Sequence, residues 1–151
     1  MKTILAAIDF SHVSRRVLAE ATALAQALHG RVVLLHTVQP PVIVSEYGVA
    51  DVAAITTELE RTADRHLVRL EKVMQQRLPG SLAARRTGSP LREILAGAKK
   101  TSADYIVIGS HGHTAFYDLL VGSTAAGVLQ QAHCPVLVVP PRKAGSAPAK
   151  K

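Results

Sequence analysis

Short apolar runs alternate along the chain with stretches whose apolar positions recur every three or four residues. The runs are Ile4-Leu5-Ala6-Ala7-Ile8, Val32-Val33-Leu34-Leu35, Tyr105-Ile106-Val107-Ile108 and Val136-Leu137-Val138-Val139. Bounded by turn residues, they read as buried parallel strands, since a strand covered on both faces needs no polar alternation. A fifth, weaker strand is expected over 81–87, where Arg85-Arg86 suit a sheet edge, because charges there block unwanted pairing.

The helical rhythm fills the gaps. Over 14–28, Val17, Ala21, Leu24 and Leu28 share a face, with Leu18 and Ala25 beside it, and Gly30 is expected to close the helix in the left-handed conformation. A long helix is predicted over 51–78, with Val52, Ile55, Leu59, Ala63, Leu67, Leu70, Met74 and Leu78 inward and charges outward. Ser89 as N-cap and Pro90 at the first helical position open a third helix, with Leu91, Ile94, Leu95 and Ala98 inside. The last follows Gly122, with Ala125, Ala126, Val128, Leu129 and Ala132 as its apolar positions. Residues 39–50 form a loop whose Val42, Ile43, Val44 and Tyr47 either pack over the sheet or close over a ligand.

Strands alternating with helices predict an α/β fold: an open, five-stranded, mostly parallel sheet with helices on both faces. Such sheets bind ligands beyond the strand C-termini, where strand order reverses. With the first strand central, between the second and the fourth, that crevice lies beside Asp9 and Gly109.

The fourth strand runs into Gly109-Ser110-His111-Gly112, followed after nine residues by Gly122-Ser123-Thr124. Glycines let backbone N–H groups approach a bound group closely. The helix opened by Gly122 offers N–H groups without internal partners, which attract anions, and Ser123 and Thr124 add hydroxyls. The pattern is a phosphate cradle. A Walker-type loop and the Gly-x-Gly-x-x-Gly dinucleotide fingerprint are both missing. Without a loop lysine, holding a phosphate is better supported than transferring it.

Composition narrows the setting. At 151 residues, 48% hydrophobic and 19% charged, the chain reads as one globular domain. We expect it over 1–140, followed by a disordered basic tail over 141–151. The single cysteine, Cys134, makes no internal disulfide and reads as a core thiol in a reducing, cytoplasmic setting. The opening apolar run is cut by Asp9 with no cleavage pattern, and no run approaches the roughly 18 residues of a membrane span. The net charge of +7 is scattered, and aromatics are only 3%, so neither nucleic acid nor a membrane surface is expected as partner. His36 reads as a satisfied core histidine. His12, His29, His66 and His133 show no metal-site spacing.

Gly-x2-Gly-x9-Gly-Ser, together with Ile4–Ser11, Leu34–Val38 and Cys134–Val139, resembles the universal stress protein family over residues 1 to about 140. The resemblance implies a Rossmann-like, adenine nucleotide alpha hydrolase-like fold that binds ATP, or ADP or AMP, and pairs as a homodimer. By position, Ala7 and Ile8 would line the adenine, and the Val38 backbone would bond its edge. Asp9 would contact ribose or a phosphate-bound Mg. Gly109, Ser110, His111 and Gly112 would hold ribose and α-phosphate, with His113 beside them, and Gly122, Ser123 and Thr124 the outer phosphates. Ala115-Phe116-Tyr117-Asp118 is bulkier and more acidic than the spacers common in the family. Asp9 also suits a plain capping role, and His111 a plain turn.

Three functions remain open on this basis: an ATP-binding regulatory protein of the stress response with slow or absent hydrolysis; a weak ATPase, or a protein that phosphorylates itself on Ser123 or Thr124; and a nucleotide-free interaction module. The first is favoured, because no base and positioned nucleophile stand out. A homodimer is expected through the C-terminal strand, a short apolar edge that needs cover.

Overall fold

The computed structural model describes residues 1–42, 51–111 and 121–141. Gly112 and His113, the 115–118 spacer, most of the apolar loop and the tail beyond 141 lie outside them. The elements are β1 (Thr3–Ile8), α1 (Ser14–Ala27), β2 (Arg31–Val38), α2 (Val52–Arg77), β3 (Leu82–Thr87), α3 (Pro90–Lys100), β4 (Tyr105–Gly109), α4 (Ser123–Gln131) and β5 (Val136–Val139). The strands lie in the order β3-β2-β1-β4-β5. Every neighbouring pair is parallel.

The central strand β1 feeds two cores because successive side chains point to opposite faces. From β1, Ile4, Ala6 and Ile8 pack with Val17, Ala21 and Ala25 of α1 and Leu67 and Met74 of α2. Leu5 and Ala7 pack with Ile94 and Ala98 of α3 and Ala125 and Val128 of α4. All six residues of β1 are buried. Each fully buried Ile or Leu contributes about 1.5–3 kcal/mol, so this central strand anchors both layers.

Several local expectations need correcting. Gly30 does not take the left-handed conformation that ends α1; His29 does, at φ 51°. Gly30 N–H bonds to Ala25 O at 2.7 Å and His29 N–H to Gln26 O, a Schellman closure carried by a histidine. Ser89 sits at the N-cap of α3, but its side chain makes no cap bond. Leu129, one of the apolar positions of α4, is exposed. In α2 the stripe is buried only from Ala63 onward. Val52, Ile55 and Leu59 are exposed, since the first turns of this helix run past the sheet. β5 is a sheet edge with only Val139 fully buried.

The other edge, β3, is tied down by charge. Arg85 pairs with Glu60 at 2.8 Å and Asp64 at 2.9 Å on α2, and Arg86 pairs with Glu93 on α3. The two arginines that marked an edge therefore also clamp it to the helices. Cys134 packs against the second core, where burial pushes its thiol pKa up, as an inert core thiol requires.

At the end of the sheet opposite the strand C-termini, Asp104 accepts from Lys2 Nζ at 2.7 Å and Thr3 N–H at 2.8 Å. The Lys2 hydrogen bond first, then that from Thr3, hold its carboxyl pKa below the ordinary carboxylate value. A lowered folded-state value means stabilisation that is present above the unfolded pKa and lost as pH falls through the folded one. Asp104→Asn is therefore expected to lower the urea midpoint at pH 7, with the gap to wild type closing as pH falls below 3.8. A gap independent of pH would contradict this role.

Candidate functional site

β1 and β4 lie side by side, and their chains then leave toward opposite faces, β1 into α1 and β4 into α4. This opens a cleft at the strand C-termini, at the switch point that parallel sheets use for ligands. The cleft measures about 1040 Å³. Among the described residues, every expected site position lines it: Ala7, Ile8, Asp9, Val38, Gly109, Ser110, His111, Gly122, Ser123 and Thr124.

The β1 side is held by a tight turn. Asp9 Oδ1 accepts from Ser11 N–H at 2.9 Å and from the Ser14 hydroxyl at 3.0 Å. Asp9 thus holds the turn into α1 from outside the helix, whose N-cap is Val13. Phe10 takes the left-handed conformation at φ 62°, uncommon for a residue with a bulky side chain and frequent at functional sites.

The β4 side is a loop closed on itself. Ser110 is buried, its N–H donates to Val139 O at 2.8 Å, and its carbonyl accepts from Gly122 N–H at 2.7 Å. Ser110 Oγ and His111 Nδ1 share a hydrogen bond of 3.0 Å. The glycines here serve packing as well as access. A Cβ on Gly109 would lie 3.0 Å from Val13 Cγ1, toward the interior, and one on Gly122 would lie 3.2 Å from Ser110 O. Gly122 is the N-cap of α4, with no side-chain cap bond. The first intrahelical bond runs from Ala126 N–H to Gly122 O. Among the described residues, no side chain is recorded capping the N–H groups of the first turn, where Ser123 and Thr124 meet the cleft, the arrangement that binds anions.

Sequence reasoning missed a third wall. Phe10 stacks on His36 with ring centroids 4.3 Å apart and meets His66 of α2 edge-on at 5.1 Å. All three residues line the cleft, as do Ile55 and Leu59 of α2. His36 is half-buried and satisfied as expected, donating from Nδ1 to Ile8 O at 2.9 Å, yet it also faces the cleft. The available signal was the exposed first half of α2, whose apolar positions were read as core. The Val38 carbonyl accepts from Gly88 N–H at 2.9 Å.

Among the described residues, no cluster of His, Cys, Asp or Glu could hold a metal ion by itself. Asp9 is a single carboxylate and suits a cation only as one partner among phosphate oxygens. Among the described residues, no helix is long and apolar enough to cross a membrane.

Known proteins share this arrangement. A universal stress protein from Thermus aquaticus is 36% identical over 139 residues, covering 91% of this chain and 98% of its own length. The solved universal stress protein UspA from Lactobacillus plantarum superposes with a TM-score of 0.77 at 24% identity, covering 91% of this chain and 97% of that one. One from Archaeoglobus fulgidus, in complex with dAMP, superposes with a TM-score of 0.59 at 22% identity, covering 92% and 97%. The family model for universal stress proteins matches residues 1–140. The chain belongs to the universal stress protein family.

Proposed function

We propose that this chain binds an adenine nucleotide, ATP or its ADP or AMP forms, in the cleft between β1 and β4. It then acts as a regulatory protein of the stress response with slow or absent hydrolysis. The observation that carries this reading is the first turn of α4, without a side-chain cap among the described residues, which meets the same cleft as the ends of β1 and β2. A phosphate end and a base end therefore share one crevice. The relative from Archaeoglobus fulgidus in complex with dAMP supports the choice of adenine.

In this reading Ser123 and Thr124 meet the outer phosphates, with Gly122 leaving room for them. Gly109, Ser110 and His111, with Gly112 and His113, follow the ribose and the first phosphate. Ala7 and Ile8 flank the base. Asp9 sits at the ribose, or at a Mg carried in by the phosphates. Holding is favoured over turnover because Asp9 Oδ1 is already committed to the turn, which leaves it poorly placed as a base. The open β5 edge, with Leu137 exposed, is covered by a second copy across a two-fold axis.

Native mass spectrometry of the purified protein tests both parts. The expected spectrum is a dimer carrying about one adenine nucleotide per chain, either as purified or after ATP is added. A protein that neither carries nor takes up nucleotide overturns the binding reading, and a monomer at micromolar concentration overturns the dimer.

A further inference from the structure

The two edges of the sheet are not alike. Along a parallel strand the main-chain groups of successive residues turn to opposite sides. Val38 O accepts from Gly88 N–H at 2.9 Å, so the even-numbered residues of β3 bond to β2 and the odd-numbered ones face outward. Ala83, and Ser81 just before the strand, therefore present main-chain groups at the open side. Both meet side chains of α2. Ala83 N–H donates to Glu71 Oε1 at 3.2 Å, and Ser81 O accepts from Gln75 Nε2 at 3.1 Å. Gln75 Nε2 also donates to Glu71 Oε1 at 3.4 Å, which ties the two side chains together.

Glu71 and Gln75 lie four residues apart, on one face of α2. The carboxylate accepts from an N–H and the amide donates to a C=O. Those are the two services a neighbouring strand would give. At β5 the pattern differs. Ile106 N–H donates to Pro135 O and Ser110 N–H to Val139 O, so Val136 and Val138 face outward. Among the described residues, no side chain is recorded bonding to the main chain of either.

We infer that Glu71 and Gln75 take the place of a sixth strand and close the β3 edge to other chains. A sheet with two open edges can add copies head to tail without end. A sheet with one open edge stops once that edge is paired about a two-fold axis. α2 therefore limits how far the protein assembles. The limit of two copies rests on the β5 pairing proposed above, whereas the closure of β3 does not. A bared β3 edge is adhesive, because Leu82 is exposed beside it.

Glu71→Ala combined with Gln75→Ala strips both partners, and Glu71→Gln keeps an acceptor in the same place. Sedimentation velocity over a concentration series reads the outcome. Wild type and Glu71→Gln should keep one size. The double variant should form larger species whose share grows with concentration. Adding Ala83→Pro should bring it back to the wild-type size, because proline offers no N–H and is accepted on an edge strand where that N–H faces outward. Association that comes from unfolding would survive the proline. Hydrogen exchange covers a double variant that does not fold: the Ala83 amide should exchange about tenfold faster in Glu71→Ala than in wild type. Equal exchange in the two, a folded double variant no larger than wild type, or association that persists with Ala83→Pro overturns the inference. A monomeric wild type removes the β5 pairing and leaves the closure of β3 to be judged by the same variants.

Discussion

Gly122→Val is expected to abolish nucleotide binding and leave the fold in place. Gly122 has φ −69° and ψ 162°, an extended conformation that valine adopts without strain. The cost therefore falls on contacts. A Cβ at this position would lie 3.2 Å from Ser110 O and 3.8 Å from His111 Cα. The Gly122 N–H bond to Ser110 O, at 2.7 Å, closes the loop between β4 and α4. Two methyl groups beyond that Cβ press on this closure and fill space in front of the first turn of α4. Losing two hydrogen bonds to a charged phosphate, about 1.5–3 kcal/mol each, weakens binding roughly 100-fold or more, which sets the scale of the affinity loss. Ile106, Val107 and Val128, which hold β4 and α4 in the cores, are fully buried and make no close contact with the new side chain. Calorimetric titration with ATP, paired with a thermal melt, reads both effects. Wild-type affinity in the variant would place the phosphates elsewhere.

Gly30→Val is expected to produce the largest loss of stability. A Cβ there would lie 2.4 Å from Lys2 O and 3.1 Å from Ile4 Cδ1. The first neighbour is backbone, and it is also the acceptor of Arg31 N–H. No rotamer change relieves the overlap, so the starts of β1 and β2 must separate. Overpacking of this kind costs about 3 kcal/mol, or a melting temperature lower by roughly 6–12 °C for a chain of this size. Gly30→Ala should carry most of the loss, because the first carbon already collides. An alanine variant as stable as wild type would show that the strands yield there.

The two cases show what the sequence could and could not tell. Glycine marked both positions, but for reasons that spacing alone does not separate. At Gly30 the expected cause was a left-handed backbone; the actual cause is a carbonyl 2.4 Å from the missing Cβ, while His29 takes the left-handed turn. The strands were legible because four of them are uninterrupted apolar runs, and with the first strand set between the second and the fourth the switch-point rule located the crevice. The crevice between β1 and β4 was legible for the same reason. The third wall was not, because Phe10, His36 and His66 come from three elements and meet only through the crossing of α2 over the sheet. Periodicity reports which face of a helix is apolar, and it gave Ile55 and Leu59 the right face. It does not report where the sheet beneath that face ends.

The hydrogen bond from Thr3 N–H to Asp104 spans 101 positions of the chain. A chain that emerges from synthesis N-terminus first has β1, β2 and β3 long before β4 exists. Until then the one strand buried along its whole length is an open edge, of the kind that recruits unwanted neighbours. The late arrival of β4 therefore does two things at once. It covers that edge and creates the crevice, so a newly made chain loses its exposed strand edge in the same step that forms the cleft.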